Sequence, residues 1–167
     1  MTQKPDPMNN LAEPVIELVC YDITWPAQFG AERAMLEAAL EQWLIGRIEH
    51  VGSTAVPNIV AKPIIDIMAP VRSLEDSTTA IEAAIAVGYV YYPYKADIMN
   101  WFCKPSPDHR THHLHLVPQN SSLWSDRLLF RDELRRCKAL ANEYAILKQQ
   151  LAKEFSLDRE AYTKAKK

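Results

Sequence analysis

Cysteine and glycine are scarce in this sequence. Its 167 residues include three cysteines, Cys20, Cys103 and Cys137, which lie far apart and form no Cys-x-x-Cys pair. That spacing indicates neither a zinc ribbon nor a disulfide framework and fits a reducing, cytoplasmic compartment. Four glycines are present, and none builds the GxxxxGK[ST] of a P-loop, the GxGxxG of a dinucleotide fold or the GxSxG of a nucleophile elbow. No apolar run approaches the roughly 20 residues that a membrane span needs, so no membrane partner is expected. The opening MTQKPDPMNN lacks the apolar centre of a signal peptide. Neither sign of charge dominates: 19 Lys and Arg stand against 21 Asp and Glu, for a formal net charge of −2. Bulk charge therefore draws the chain to no polymeric nucleic acid, and a local basic patch remains open.

What is present describes a globular chain. Hydrophobic residues make up 48% and charged residues 24%, which excludes a mainly disordered chain, a collagen and a coiled-coil rod. The length suits one domain with a core of its own. Residues 1–13, polar and carrying Pro5 and Pro7, read as a flexible arm, and 14–167 as the single domain.

Val15 to Cys20 is a short apolar run suited to a strand. Thr24 and Pro26 mark a helix start, with the Thr24 side chain expected to accept from free backbone N–H groups. Phe29, Leu36, Leu40 and Trp43 recur at helical spacing up to an end near Gly46. Arg47 to Ser53 reads as a strand running into a tight turn, and Pro63 to Val71 as a buried strand. Ser73 to Val87 is amphipathic, with Gly88 as its stop. Tyr89–Tyr94 and Met99–Lys104 suit a hairpin, and His112–Val117 alternates as a strand does. From Phe130 to Phe155 apolar residues repeat at spacings of three and four, which predicts two helices. The whole is an α/β domain, in the α+β sense of a mixed sheet flanked by helices, with a helical C-terminal portion.

Four constellations carry chemistry. Gly52-Ser53-Thr54 at a strand end can bring backbone N–H groups and hydroxyls close to a phosphate, although a ligand-free turn has the same sequence. Asp66 interrupts an apolar strand, where a carboxylate is costly without a partner. It reads as a metal ligand, a general base or a hydrogen-bonded structural acid. On the strand RTHHLH, alternate side chains share a face, so His113 and His115 point together with His112 opposite. With Asp66 they make a two-His, one-carboxylate set, which suits one divalent ion, manganese, iron, nickel or zinc better than magnesium. The same set can hold a phosphate without a metal. Arg127, Arg131 and Arg135 fall at i, i+4, i+8 on one helix side, either a salt-bridged surface or a phosphate clamp. Lys62, four residues before Asp66, can also reach an anion. Asp22 and Trp25 read as a structural turn.

These segments together resemble the GrpB family. The matching stretches are YDITWP (21–26), RIEHVGSTAVPNIVAKPIIDI (47–67), HHLHLV (112–117), LLFRDELRR (128–136) and the C-terminal YAILKQQLA and DREAYTKAK. They occur in order from about residue 16 onward. The resemblance implies a nucleotidyltransferase-like fold, in which Gly52 and Ser53 form the phosphate turn and Asp66 stands on the acidic strand. It implies a nucleotide or other phosphorylated small molecule as partner and a divalent metal as cofactor. Phosphate contacts fall to Gly52, Ser53, Thr54, Lys62, Arg127 and Arg131. The catalytic and metal-binding roles fall to Asp66, His113 and His115. The sequence departs from the superfamily pattern at Ile64, where a second acid of an Asp-x-Asp pair is expected, and offers His113 and His115 where a third acid would stand. Two magnesium ions cannot be held in the usual way by one carboxylate. Three readings follow: a transferase-like enzyme, a ligand-binding module without catalysis, and an interaction protein that docks a partner on its C-terminal helices, as monomer or homodimer.

Overall fold

The computed structural model describes residues 15–166; the arm read over 1–13 lies outside the described residues. Five strands form one mixed sheet, and five α-helices accompany it among the described residues. The elements run α1 (Trp25–Leu40), β1 (Glu49–Val51), a 3-10 turn (Ser53–Ala55), β2 (Ile65–Val71), α2 (Ala80–Ala86), β3 (Val90–Tyr92), β4 (Asn100–Pro105), β5 (Arg110–Pro118), α3 (Ser122–Arg136), α4 (Lys138–Glu154) and α5 (Arg159–Ala165). The strand order is β1-β2-β5-β4-β3. Only β2 and β5 pair in parallel, at the centre.

Strand alternation divides the molecule into two faces. Ile65, Ile67, Ala69 and Val71 of β2 and Leu114 and Leu116 of β5 join Trp25, Leu36 and Leu40 of α1 and Ala80 and Ala84 of α2 in one buried cluster. The opposite parity sends Met68, Trp101, Cys103 and Val117 into a second cluster, closed by Trp124 of α3. The site lies on this second face. α3 and α4 pack through Leu134 and Ala141 on Val56 and Ile59 of the segment after the 3-10 turn. α4 and α5 pack through Leu151 and Tyr162 on Ile16.

The hairpin expected over 89–104 is present as antiparallel β3 and β4. Other boundaries shift for identifiable reasons. α1 stops at Leu40, short of Gly46, because Leu44 forms a bridge with Val71 and the Ile45 N–H donates to the Pro70 carbonyl. Sheet pairing here overrides helical periodicity. α2 begins at Ala80 although its apolar pattern begins at Leu74. Ser77 Oγ donates to the Ser73 carbonyl (2.7 Å) and Thr78 Oγ1 to that of Glu75 (2.9 Å), so hydroxyls compete for the carbonyls of a first turn. Val15–Cys20 is not a strand: Val19 makes a single bridge to Ala61. Thr24 does not cap α1 with its side chain. Asp22 Oδ1 instead accepts from the Thr24 N–H (2.8 Å) and hydroxyl (2.7 Å).

The two helices expected over 130–155 are present as α3 and α4, and the segment after them, read as a short basic tail, holds a third, α5. The first break is at Cys137, extended at φ −115°, ψ 99°, with neither glycine nor proline to announce it. The second precedes Asp158, whose carboxylate accepts from the Ala161 N–H. Of the apolar repeat, Leu134, Ala141 and Leu151 are buried, while Phe130 and Leu147 are exposed. Phe130 packs edge-on against Tyr144. Leu134, Ala141 and Leu151 are thus core, while Leu129, Phe130, Leu140, Ile146 and Leu147 remain exposed on α3 and α4, so the docking reading keeps some ground.

Leu36 is fully buried and Leu129 is 63% exposed. Leu36→Ala is expected to cost about 2–5 kcal/mol, and Leu129→Ala to stay within about 0.5 kcal/mol of the parent, both read as urea-unfolding midpoints.

Candidate functional site

The central parallel pair builds the site. Its register sets Asp66 opposite His113, and alternation along β5 puts His115 on the same face. His113 Nδ1 lies 3.0 Å from Asp66 Oδ1, and His115 Nε2 lies 3.6 Å from the same oxygen. One ligand atom from each of the three residues can be chosen so that all fall within 4.8 Å of one another. His112 points to the other face, with its Nε2 3.9 Å from Glu32 Oε2. Glu32 there also accepts from Tyr89 Oη (2.7 Å) and Lys104 Nζ (2.5 Å).

The turn after β1 abuts this carboxylate. Gly52 has φ +74°, and a Cβ at that position would stand 2.5 Å from Asp66 Oδ2. Glycine is required twice over, by the backbone conformation and by the approach. Ser53 lies half-buried in that turn, beside the hydroxyl of Tyr144 from α4. Thr54 is turned inward: its hydroxyl donates to the Ile64 carbonyl (3.0 Å) and so accepts from His50 Nε2 (2.9 Å). It braces the turn. His50 stacks on Phe29 at 4.8 Å, and burial pushes its pKa down to about 4.

The three helix arginines separate. Arg127 reaches the cluster, with Nη1 3.1 Å from His115 Nδ1. Arg131 is buried and ties α3 to β1, donating to Glu49 Oε2 (2.6 Å) and the His50 carbonyl (3.0 Å), with its Nε on Asp132. Arg135 donates to the Ala55 carbonyl (2.8 Å). These arginines therefore brace the fold around the turn, and Arg127 is the one that meets the histidines. Lys62 stands at the approach to β2, its Nζ 5.0 Å from the Tyr162 ring centroid. Three groups that the sequence did not single out also stand near. Trp101 packs on His113 at 5.0 Å. Arg110 lies over Trp101. Lys166 feels the charge of Asp66. Pairing β4 with β5 would have indicated Trp101; nothing in the sequence places Lys166 here.

Electrostatics sort these groups into an anion and two neutral bases. Burial pushes the Asp66 pKa up, but the hydrogen bond from His113 and the nearby His115 ring outweigh it and hold the carboxyl well below the usual range. Burial lowers His113, against the pull of Asp66. Burial and then the charge of Arg127 push His115 down to about 4. At neutral pH the cluster is a carboxylate with two uncharged imidazoles.

This donor set fits a divalent ion. Two neutral imidazoles and a carboxylate match borderline metals. The Nε2 atoms of His113 and His115 are buried and meet no hydrogen-bond partner. Asp66 accepts from His113 Nδ1–H in this arrangement; an ion shared with Asp66 would take the Nδ1 lone pair instead, with the His113 proton moved to Nε2. His115 is arranged differently. A guanidinium only donates, so Arg127 requires the lone pair on His115 Nδ1 and fixes the proton on Nε2. Coordination through His115 Nε2 therefore requires Arg127 to let go.

Two outcomes follow from this geometry. In the metal-free protein, Arg127→Met is expected to raise the His115 pKa from about 4, because a like charge that disfavours imidazolium is gone; an NMR titration of the histidine ring protons reads it. Gly52→Ala is expected to destabilise by about 1–3 kcal/mol through the positive φ and the clash with Asp66, measured by thermal unfolding.

Comparison with known proteins places the chain among relatives. The family model described as GrpB protein matches residues 15–167. A UPF0157 protein of Pseudomonas aeruginosa is 38% identical over 163 residues, covering 95% of this chain and 66% of its own length. UPF0157 protein YqkA of Bacillus subtilis is 36% identical over 137 residues, 82% of this chain and 40% of its own. The chain thus spans less than two thirds of these curated relatives. The crystal structure of the conserved protein GrpB from Enterococcus faecalis superposes with a TM-score of 0.78 at 30% identity, covering 90% of this chain and 94% of that one.

Proposed function

The chain belongs to the GrpB family, and from that premise we propose that its cleft binds a nucleotide or another phosphorylated small molecule with one divalent metal ion and catalyses metal-assisted transfer on it. The observation that carries this reading is the meeting of Asp66, His113 and His115 on one sheet face, with two buried imidazole Nε2 atoms left without partners. Such groups are costly in a core that serves stability alone. A bound ion would supply charge neutralisation at a phosphoryl oxygen. Asp66 and the two histidines would hold it. The Gly52-Ser53 turn offers backbone N–H groups to the phosphate, and Lys62 and Arg127 supply positive charge around it. With no ion bound, His113, oriented by Asp66 through Nδ1–H, presents Nε2 as a proton acceptor. The resemblance to nucleotidyltransferases points to the same turn and the same strand.

A second reading has its own support. Ile64 is buried at 7% exposure where a second acid would stand, so the carboxylates of a two-metal transfer are not all present. A module that binds the same ligand without turnover accommodates that.

The test is a thermal-shift and calorimetric screen against Mn2+, Zn2+ and nucleotides, with Asp66→Asn in parallel. A ligand at a hundredfold excess over its Kd stabilises by about 2.7 kcal/mol. A metal-dependent nucleotide shift that disappears in Asp66→Asn is the expected result. Turnover in that condition selects transfer, and tight binding without turnover selects the module. A protein with no affinity for metal or nucleotide overturns both.

A further inference from the structure

Two lysines, Lys62 and Lys166, feel the charge of Asp66, and a third, Lys148, stands beside them. Lys62 precedes β2, Lys148 lies in the middle of α4, and Lys166 follows α5. Lys62 Nζ is 5.0 Å and Lys166 Nζ 4.4 Å from the centroid of the same Tyr162 ring. Lys148 Nζ is 4.9 Å from the Tyr144 ring and donates to the carbonyl of Val60, two residues before Lys62. Lys148 is 1% exposed and Lys62 is half-buried. Among the described residues, no carboxylate lies within ion-pair distance of any of the three. Lys104 and Lys164, by contrast, are each paired with a glutamate.

Burying ammonium groups near one another without counter-charge destabilises a fold, and a well-packed apolar side chain would serve packing better. The strain is visible in the groups themselves. Burial, then Lys166 and Arg159, push Lys62 down to about 7, with Asp66 partly offsetting this; burial, then Lys166 and Lys62, do the same to Lys148. Burial also lowers Lys166, and Asp66 partly offsets this. An anion with several charges would relieve all three at once. Tyr144 links them to the phosphate turn, since its hydroxyl lies beside Ser53.

We propose that Lys62 and Lys166, with the buried Lys148 adding positive charge behind them, form a subsite for the phosphate chain of a ligand bearing two or more linked phosphates, next to the Asp66–His113–His115 cluster. This rests on the reading of the cluster as a phosphorylated-ligand site and narrows it to di- and triphosphates, as opposed to monophosphates. It gives α4 and α5 a role that the sheet alone does not supply: each brings one cation to the cleft.

The experiment is calorimetric titration of the full chain with inorganic tripolyphosphate, orthophosphate, ATP and AMP in EDTA, and separately with Mn2+. The lysines are changed to methionine, which keeps the stem and removes the charge. Tripolyphosphate is expected to bind at least tenfold more tightly than orthophosphate. Lys62→Met and Lys166→Met are each expected to weaken it at least tenfold, with Mn2+ affinity kept within twofold. Asp66→Asn is expected to abolish Mn2+ binding and to keep tripolyphosphate binding without metal. ATP binding more tightly than tripolyphosphate, with AMP weak, assigns the chain to a nucleotide; equal affinities assign it to a polyphosphate without a base. Lys62→Met is also expected to match or exceed the parent in Tm, since it removes a buried charge, so loss of binding there is not loss of fold. The proposal is overturned if tripolyphosphate fails to bind, if it binds no better than orthophosphate, or if the Lys62 and Lys166 variants bind it as the parent does. Retained Mn2+ binding in any of those cases leaves the metal cluster standing and removes this subsite alone.

Discussion

The parallel pairing of β2 with β5 is the constraint on which the cleft depends. It joins segments 47 positions apart and sets Asp66 against His113 in register. A slip of one residue would turn Asp66 into the apolar layer beneath α1 and bring Ile65 or Ile67 up to the histidines, because strand side chains alternate strictly. The apolar face holds the register in place: Ile65, Ile67, Leu114 and Leu116 must all face α1 and α2 to be buried. The geometry of the polar cluster is therefore secured by hydrophobic burial on the other side of the same two strands.

Around that pair the rest of the molecule braces one short turn. Gly52 lets the backbone approach Asp66. Thr54 and His50 anchor the turn from below, and Arg131 and Arg135 anchor it from α3 through the carbonyls of His50 and Ala55. Charge in this region is divided by function. Arginines with carboxylate or carbonyl partners hold elements together, as does Lys148 through the Val60 carbonyl, while Arg127 meets His115 and Lys62 and Lys166 lie near Asp66 without an ion-pair partner among the described residues. The opposite face has its own polar group, in which Glu32 accepts from Tyr89 and Lys104 beside His112. There the partners satisfy one another, which suits a structural network.

Much of this was legible in the sequence, and the parts that were not share physical causes. The alternation of RTHHLH assigned His113 and His115 to one side and His112 to the other, because strand geometry leaves no other choice. The carboxylate in an apolar strand marked Asp66. Gly52-Ser53 marked the turn. Local rules failed where tertiary contacts or hydroxyls decided the backbone: α1 yields its last turn to pairing with β2, α2 loses its first turns to Ser and Thr, and α3 breaks at Cys137 without a breaking residue.

The sequence by itself determined the alternating faces of the strands, the glycine turn and the residue types available to the cleft, since periodicity and side-chain chemistry are local properties. Only the tertiary structure decided which of those residues meet. Strand order put Asp66 beside the histidines. Helix packing directed Arg131 to Glu49 and Arg127 to His115, though both lie on one helix side four residues apart. The arrival of Lys148 and Lys166 from α4 and the segment after α5 was equally invisible in the chain. Long-range proximity is fixed by how apolar faces stack, and no spacing within a single segment encodes it.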